Sequence, residues 1–89
     1  MIARVFVTLK PAVLDAQGQT VQHALESLGF KGVTKARVGK LIEIELNHRS
    51  RAQAKKDVER MCAKLLANPV IETYRIELGQ SSHGSQSTT

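Results

Sequence analysis

The apolar residues of this chain keep two different periods, and the order in which those periods alternate limits the fold more than any single motif does. From Met1 to Leu9 they recur at every second position. Ala3, Val5, Val7 and Leu9 fall on one side, and Ile2, Arg4, Phe6 and Thr8 on the other. That is a strand with one core face and one mixed face. Pro11 ends it, having no N–H to give a ladder. The period then becomes helical. Val21, Ala24, Leu25 and Leu28 stand at i, i+3, i+4 and i+7, one apolar stripe. Asp15 sits ahead of it as an N-cap, since its carboxylate can accept from the free N–H groups of the first turn. Gly29 suits the left-handed position just past the helix, with Phe30 next, placed to touch Leu25 in a Schellman closure.

Val33 to Leu46 reads as a hairpin around Gly39. A two-residue Gly39-Lys40 turn pairs Val38 with Leu41 and sets Glu43 and Glu45 beside Ala36 and Thr34. A three-residue loop, Gly39-Lys40-Leu41, pairs Val38 with Ile42 instead. Thr34, Ala36, Val38, Ile42, Ile44 and Leu46 then share the core face, while Arg37 faces Glu43 and Lys35 faces Glu45 outside. Opposite charges across a strand pair contribute roughly 0.2–1 kcal/mol each, and a register error exposes apolar side chains. The three-residue loop is therefore the predicted register. Beyond it, Ser50 with Gln53 forms a capping-box pattern. Val58, Met61, Cys62, Leu65 and Leu66 then repeat at helical spacing, with Met61 and Cys62 as core filler. Asn68-Pro69 ends this second helix, because proline disfavours helical geometry in the residue before it. Val70 to Leu78 is the last strand.

The order is thus β-α-β-β-α-β. Right-handed crossovers put the helices of both β-α-β units on the same side of the sheet. The expected product is an α+β, ferredoxin-like two-layer sandwich, a four-stranded antiparallel sheet with two helices on one face. Residues 1–78 make one domain. The segment after it, GQSSHGSQSTT from Gly79 to Thr89, holds no apolar residue and is expected to be flexible. A chain of 89 residues builds one thin core and gains from association. Ile2 and Phe6, on the sheet face the helices do not cover, point to a homodimer or a pair of dimers.

Little in the chain speaks of catalysis. His23, His48 and His83 lie in a helix, a loop and the tail, without metal-ligand spacing, and Cys62 is the single cysteine. "VGK" lacks the glycines that cradle a phosphate. Glu43 and Glu45 face basic partners in the predicted register, and Ser50 caps a helix. No catalytic, metal or cofactor-binding residue is assigned. The lone cysteine fits a reducing compartment, no apolar run reaches the ~18 residues of a membrane span, and the first strand leaves no room for a signal peptide. A cytoplasmic location is expected. The net charge of +5 raises RNA binding, but the lysines and arginines are dispersed. Phe6 is the only aromatic on the outer face of the first strand, and glutamates stand where a base-stacking platform should be. An ACT-like module binding a small metabolite shares this fold and stays open on these residues alone.

Three segments carry a likeness. "VTLKPAVLDAQG", "RVGKLIEIEL" and "LLANPVIETYRIEL", in this order and spacing, resemble the PurS family, small subunits of phosphoribosylformylglycinamidine synthase. The likeness spans Met1 to Leu78. It departs at Ala12, Ala16 and Leu41, where the family commonly has glycine, proline and an aromatic residue. The resemblance implies a subunit without catalytic residues that joins a large ATP-dependent synthetase subunit, which uses ATP and magnesium, to a glutaminase subunit. It implies help in passing ammonia between them for the conversion of formylglycinamide ribonucleotide to its amidine. It implies no bound cofactor, nucleic acid or membrane. It also turns Lys10, Pro11, Asp15, Gly18, Gly39, Lys40, Asn68 and Pro69 into candidate partner contacts, beside their plainer reading as residues that stop strands and start helices.

Overall fold

Residues 1–80 are described by a computed structural model. Strand β1 runs Ile2–Leu9, helix α1 Ala16–Ser27, strand β2 Gly39–Glu45, helix α2 Arg51–Met61 and strand β3 Glu72–Gly79; a π-helical turn, Cys62–Leu66, continues α2. The sheet has three strands in the order β2-β1-β3, with β1 antiparallel to both neighbours. β2 and β3 are therefore parallel with β1 between them. The α2 crossover joins them, which places α2 on one sheet face.

That face holds the core. Alternation buries Ala3, Val5 and Val7 of β1. Val5 stands between Ile42 and Ile76, and Ala3 between Ile44 and Leu78. Ala54, Val58 and Cys62 press down from α2 and its π turn, and Ala67 closes the end. Fully burying a side chain such as Val5 or Val58 contributes about 1.5–3 kcal/mol. The opposite face carries Arg4, whose Nε donates to Glu43 at 2.9 Å, and Arg75, whose guanidinium lies 4.2 Å from the Phe6 ring centroid and pairs with Glu77.

The expected hairpin does not form. Gly39, Lys40 and Leu41 are extended strand, paired with Thr8, Val7 and Phe6, rather than a loop. Residues 33–38 lie outside the sheet. Their ladder partners are replaced by Asp15, which accepts from the Val38 N–H at 2.8 Å. Glu43 accordingly finds Arg4 and not Arg37, and Glu45 stands opposite Ile2 and not Lys35. The inward and outward faces survive the change: Ile42, Ile44 and Leu46 pack against the core, while Glu43 and Glu45 are exposed.

Helix α1 keeps its predicted ends. Gly29 has φ +98°, and the Gly29 and Phe30 N–H groups donate to Glu26 at 3.0 Å and Leu25 at 3.1 Å, the Schellman pattern. Its stripe, however, does not cover the sheet. No α1 side chain enters the core, and Val21, Leu28 and Phe30 are 42%, 73% and 55% exposed. The helix leaves the sheet as an arm. The second helix departs in its last turn. Ala67 N–H donates to Cys62 O at 3.1 Å, five residues back, and this wider turn rotates Leu65 out to 81% exposure while Leu66 stays half-buried. The last strand starts at Glu72 because Val70 and Ile71 belong to the turn before it. It ends at Gly79, paired with Ile2, one residue into the segment read as tail. Residues 81–89 of that segment lie outside the described residues.

Candidate partner-docking surface

The sequence places the eight candidate contacts in three separate segments. The fold gathers all of them at one end of the sheet, where β1 finishes and β2 and β3 begin. Lys10 and Pro11 form the turn that leaves β1: Val13 N–H donates to Lys10 O at 2.9 Å, and Lys10 N–H to Ile71 O at 2.8 Å. Pro11 takes the second turn position, which its fixed φ suits. Asn68 and Pro69 form the turn that enters β3. The Asn68 side chain accepts from Val70 N–H at 3.0 Å, its carbonyl from Glu72 N–H at 2.8 Å, and its own N–H donates to the Glu72 carboxylate at 2.7 Å.

Two of the eight, Asp15 and Gly18, are buried. Asp15 Oδ1 accepts from Gly18 N–H at 2.8 Å, capping α1, and its Oδ2 accepts from Val38 N–H at 2.8 Å, fastening the returning chain. Arg37 adds charge, its Nε 3.8 Å from Oδ2, while its Nη2 donates to the carbonyls of Leu9 and Lys10. The two backbone N–H groups, Val38 first, hold the Asp15 carboxyl below its ordinary range, against the opposing effect of burial and with Arg37 assisting. Gly18 is glycine because a Cβ would lie 2.3 Å from the Ala36 carbonyl oxygen. A Cβ on Gly39 would lie 2.4 Å from the Val7 oxygen, so Gly39 lets β2 approach β1.

Pro11, Gly39, Lys40, Asn68 and Pro69 are exposed, and Lys10 is half-buried. Lys40 lines a shallow depression with Thr8, Gln17 and Glu72. Lys10 and Pro69 line a second, apolar one with Cys62, Ala63, Ala67 and Tyr74; Glu72 borders both, making them one surface. Exposed apolar groups border it: Val70 at 76%, next to Pro69, and Tyr74 at 42%. Sequence reading placed Val70 inside the last strand, because its apolar alternation continues that of the strand it adjoins. The Asn-Pro turn just ahead is the one signal that Val70 need not be in register.

Away from this end, His48 Nε2 lies 2.6 Å from Asp57 Oδ2 and pins the β2–α2 connection. That bond, helped by Gln53, keeps the Asp57 carboxyl below its ordinary range. Burial pushes the Cys62 thiol up, away from the reactive thiolate. Among the described residues, no three His, Cys, Asp or Glu side chains are grouped to hold a metal ion, and no helix is long and apolar enough to cross a membrane.

The family model for PurS, phosphoribosylformylglycinamidine (FGAM) synthase, matches residues 2–80. The phosphoribosylformylglycinamidine synthase subunit PurS of Synechocystis sp. is 47% identical over 75 residues, 84% of this chain and 75% of the relative. The crystal structure of Methanocaldococcus jannaschii PurS, a subunit of formylglycinamide ribonucleotide amidotransferase in the purine biosynthetic pathway, superimposes with a TM-score of 0.82. It is 41% identical and covers 91% of this chain and 98% of that one. A chain of PurLQS from Thermotoga maritima gives 0.76 at 29% identity, over 86% of this chain and 96% of that one.

Proposed function

The chain belongs to the PurS family, the small subunits of phosphoribosylformylglycinamidine synthase in purine biosynthesis, and from that premise we propose that it joins the synthetase and glutaminase subunits and helps ammonia pass between them. The synthetase subunit uses ATP and magnesium to activate the formyl amide oxygen of formylglycinamide ribonucleotide. The glutaminase subunit releases ammonia from glutamine. Ammonia replaces the activated oxygen, giving the amidine, ADP and phosphate. This chain binds no cofactor and supplies no catalytic group. It works in the cytoplasm as one domain, with the segment after β3 dispensable.

One observation carries the reading. The three family-like segments, far apart in sequence, meet at one end of the sheet and leave Lys10, Pro11, Lys40, Asn68 and Pro69 as its outer surface. Asp15 and Gly18 shape that surface from beneath. The solved PurLQS of Thermotoga maritima supports an assembly of this kind. Self-association belongs to the same reading. The exposed α1 stripe requires cover, and a second copy completes the two-layer sandwich that one chain leaves open.

The test is reconstitution from purified subunits, with activity followed separately from glutamine and from an ammonium salt. Omitting this chain is expected to abolish glutamine-dependent amidine formation while ammonia at high concentration still supports turnover. Equal glutamine-dependent rates with and without it exclude the role.

A further inference from the structure

We infer that residues 33–45 act as one exchanged strand, which pairs antiparallel with the same stretch of a second copy about a two-fold axis at Lys40. The inference rests on the self-association proposed above and names the strand and the register that carry it. β2 is an edge strand with β1 on one side only. Residues 33–38, which lead into it, lie outside the sheet, and the uncovered α1 precedes them. A strand that takes its place beside β2 of another copy, bringing its helix with it, is an exchanged element, a low-cost route to a dimer.

The side chains set the register. With the axis at Lys40, Val38 faces Ile42 of the second copy, Ala36 faces Ile44 and Thr34 faces Leu46 on the core side, while Arg37 faces Glu43 and Lys35 faces Glu45 outside. This is the pairing predicted for a hairpin. One chain does not make it on itself, because Gly39, Lys40 and Leu41 are held extended against Thr8, Val7 and Phe6. The backbone agrees. Val38 turns its N–H toward Asp15, on the β1 side, so strand alternation turns the N–H groups of Gly39, Leu41 and Glu43 to the open edge. Lys35 and Glu45 are exposed, and among the described residues neither has an opposite charge within ion-pair reach. Arg37 and Glu43 already touch Asp15 and Arg4, but a guanidinium and a carboxylate each have capacity for a further contact. Against these opposite-charge pairs, each made twice by the symmetry, stands one like-charge contact, Lys40 with Lys40 at the axis.

The experiment traps the axis. Residues facing each other in a non-hydrogen-bonded antiparallel pair have Cα atoms about 4.5 Å apart, within disulfide reach. Mild oxidation of the full-length Lys40→Cys variant is therefore expected to give a covalent dimer, and Glu45→Cys, far from its own copy across the axis, is expected to give none. By sedimentation at low salt, Lys35→Glu is expected to weaken dimerisation on the order of tenfold, and Lys35→Glu combined with Glu45→Lys to restore it. A parent chain that dimerises while Lys40→Cys links no better than Glu45→Cys overturns the exchange and leaves self-association standing. Weakening by Lys35→Glu that the double variant does not repair overturns the register. A parent chain that stays monomeric at every concentration ends both readings.

Discussion

Asp15 is the residue on which most of the local geometry turns, because one carboxylate serves the backbone N–H groups of Gly18 and of Val38, the latter 23 residues further along the chain than Asp15. Asparagine has one side-chain oxygen, so Asp15→Asn keeps one of those bonds and sets its amide against the other. Asp15→Ala keeps neither. Melting temperature is expected to fall in the order parent, Asn, Ala, with the alanine variant several degrees below the parent. The same bonds fix the pH response. Asp15 and Asp57 are both held below the ordinary carboxyl value of 3.8. A carboxyl depressed in the folded chain contributes stability that is fully present above that value and is lost as pH falls through the folded one. Thermal melts between pH 7 and pH 2.5 are therefore expected to hold a plateau and then drop on the acid side, and Asp15→Ala should flatten that drop. The capping half of Asp15's role was legible, because a cap acts within one turn. The other half was not, since nothing local announces that Val38 returns to it.

At the scale of elements, the chain's local signals named the helices well and their packing less well. The α2 stripe gives Val58 and Leu65 equal standing, but the π turn separates them: Val58 is fully buried and Leu65 is 81% exposed. Val58→Ala is expected to cost about 2 kcal/mol through lost burial and a cavity. Leu65→Ala should stay within about 0.5 kcal/mol, the usual range for surface positions. Urea titrations of the two variants decide it; equal losses would mean that the last turn is α-helical in solution. The hairpin failed for a related reason. Charge matching across strands contributes tenths of a kcal/mol per pair. Here the central strand β1 supplies Glu43 with Arg4 and gives Ile42 and Ile44 a core to face, while Val38 and Arg37 gain partners around Asp15. A glycine read as a turn was a glycine for close approach, a distinction that depends on the distance from Gly39 to the Val7 oxygen.

The whole molecule is more extended than its core suggests. A compact chain of this length has a radius of gyration of about 12 Å; here it is 16.3 Å, with extents of 48 × 35 × 16 Å. The α1 arm accounts for the difference in kind: it is capped at both ends, and it buries none of its apolar side chains. A free helix of 12 residues is marginal in water, so its stability depends on burying that stripe. Covering Val21, Leu28 and Phe30 is worth about 1.5–3 kcal/mol each where burial is complete. A second copy offers the same stripe in return, as two-fold symmetry requires. Light scattering is therefore expected to give a multiple of 9.8 kDa, and the melting temperature should rise with protein concentration. Leu28→Ser with Phe30→Ser should abolish that concentration dependence and lower helix content. It should leave the β2-β1-β3 core folded, because neither side chain belongs to it. A mass of 9.8 kDa at every practical concentration would assign the stripe to a different subunit, and the arm would then be the part of this chain that orders only within the larger assembly.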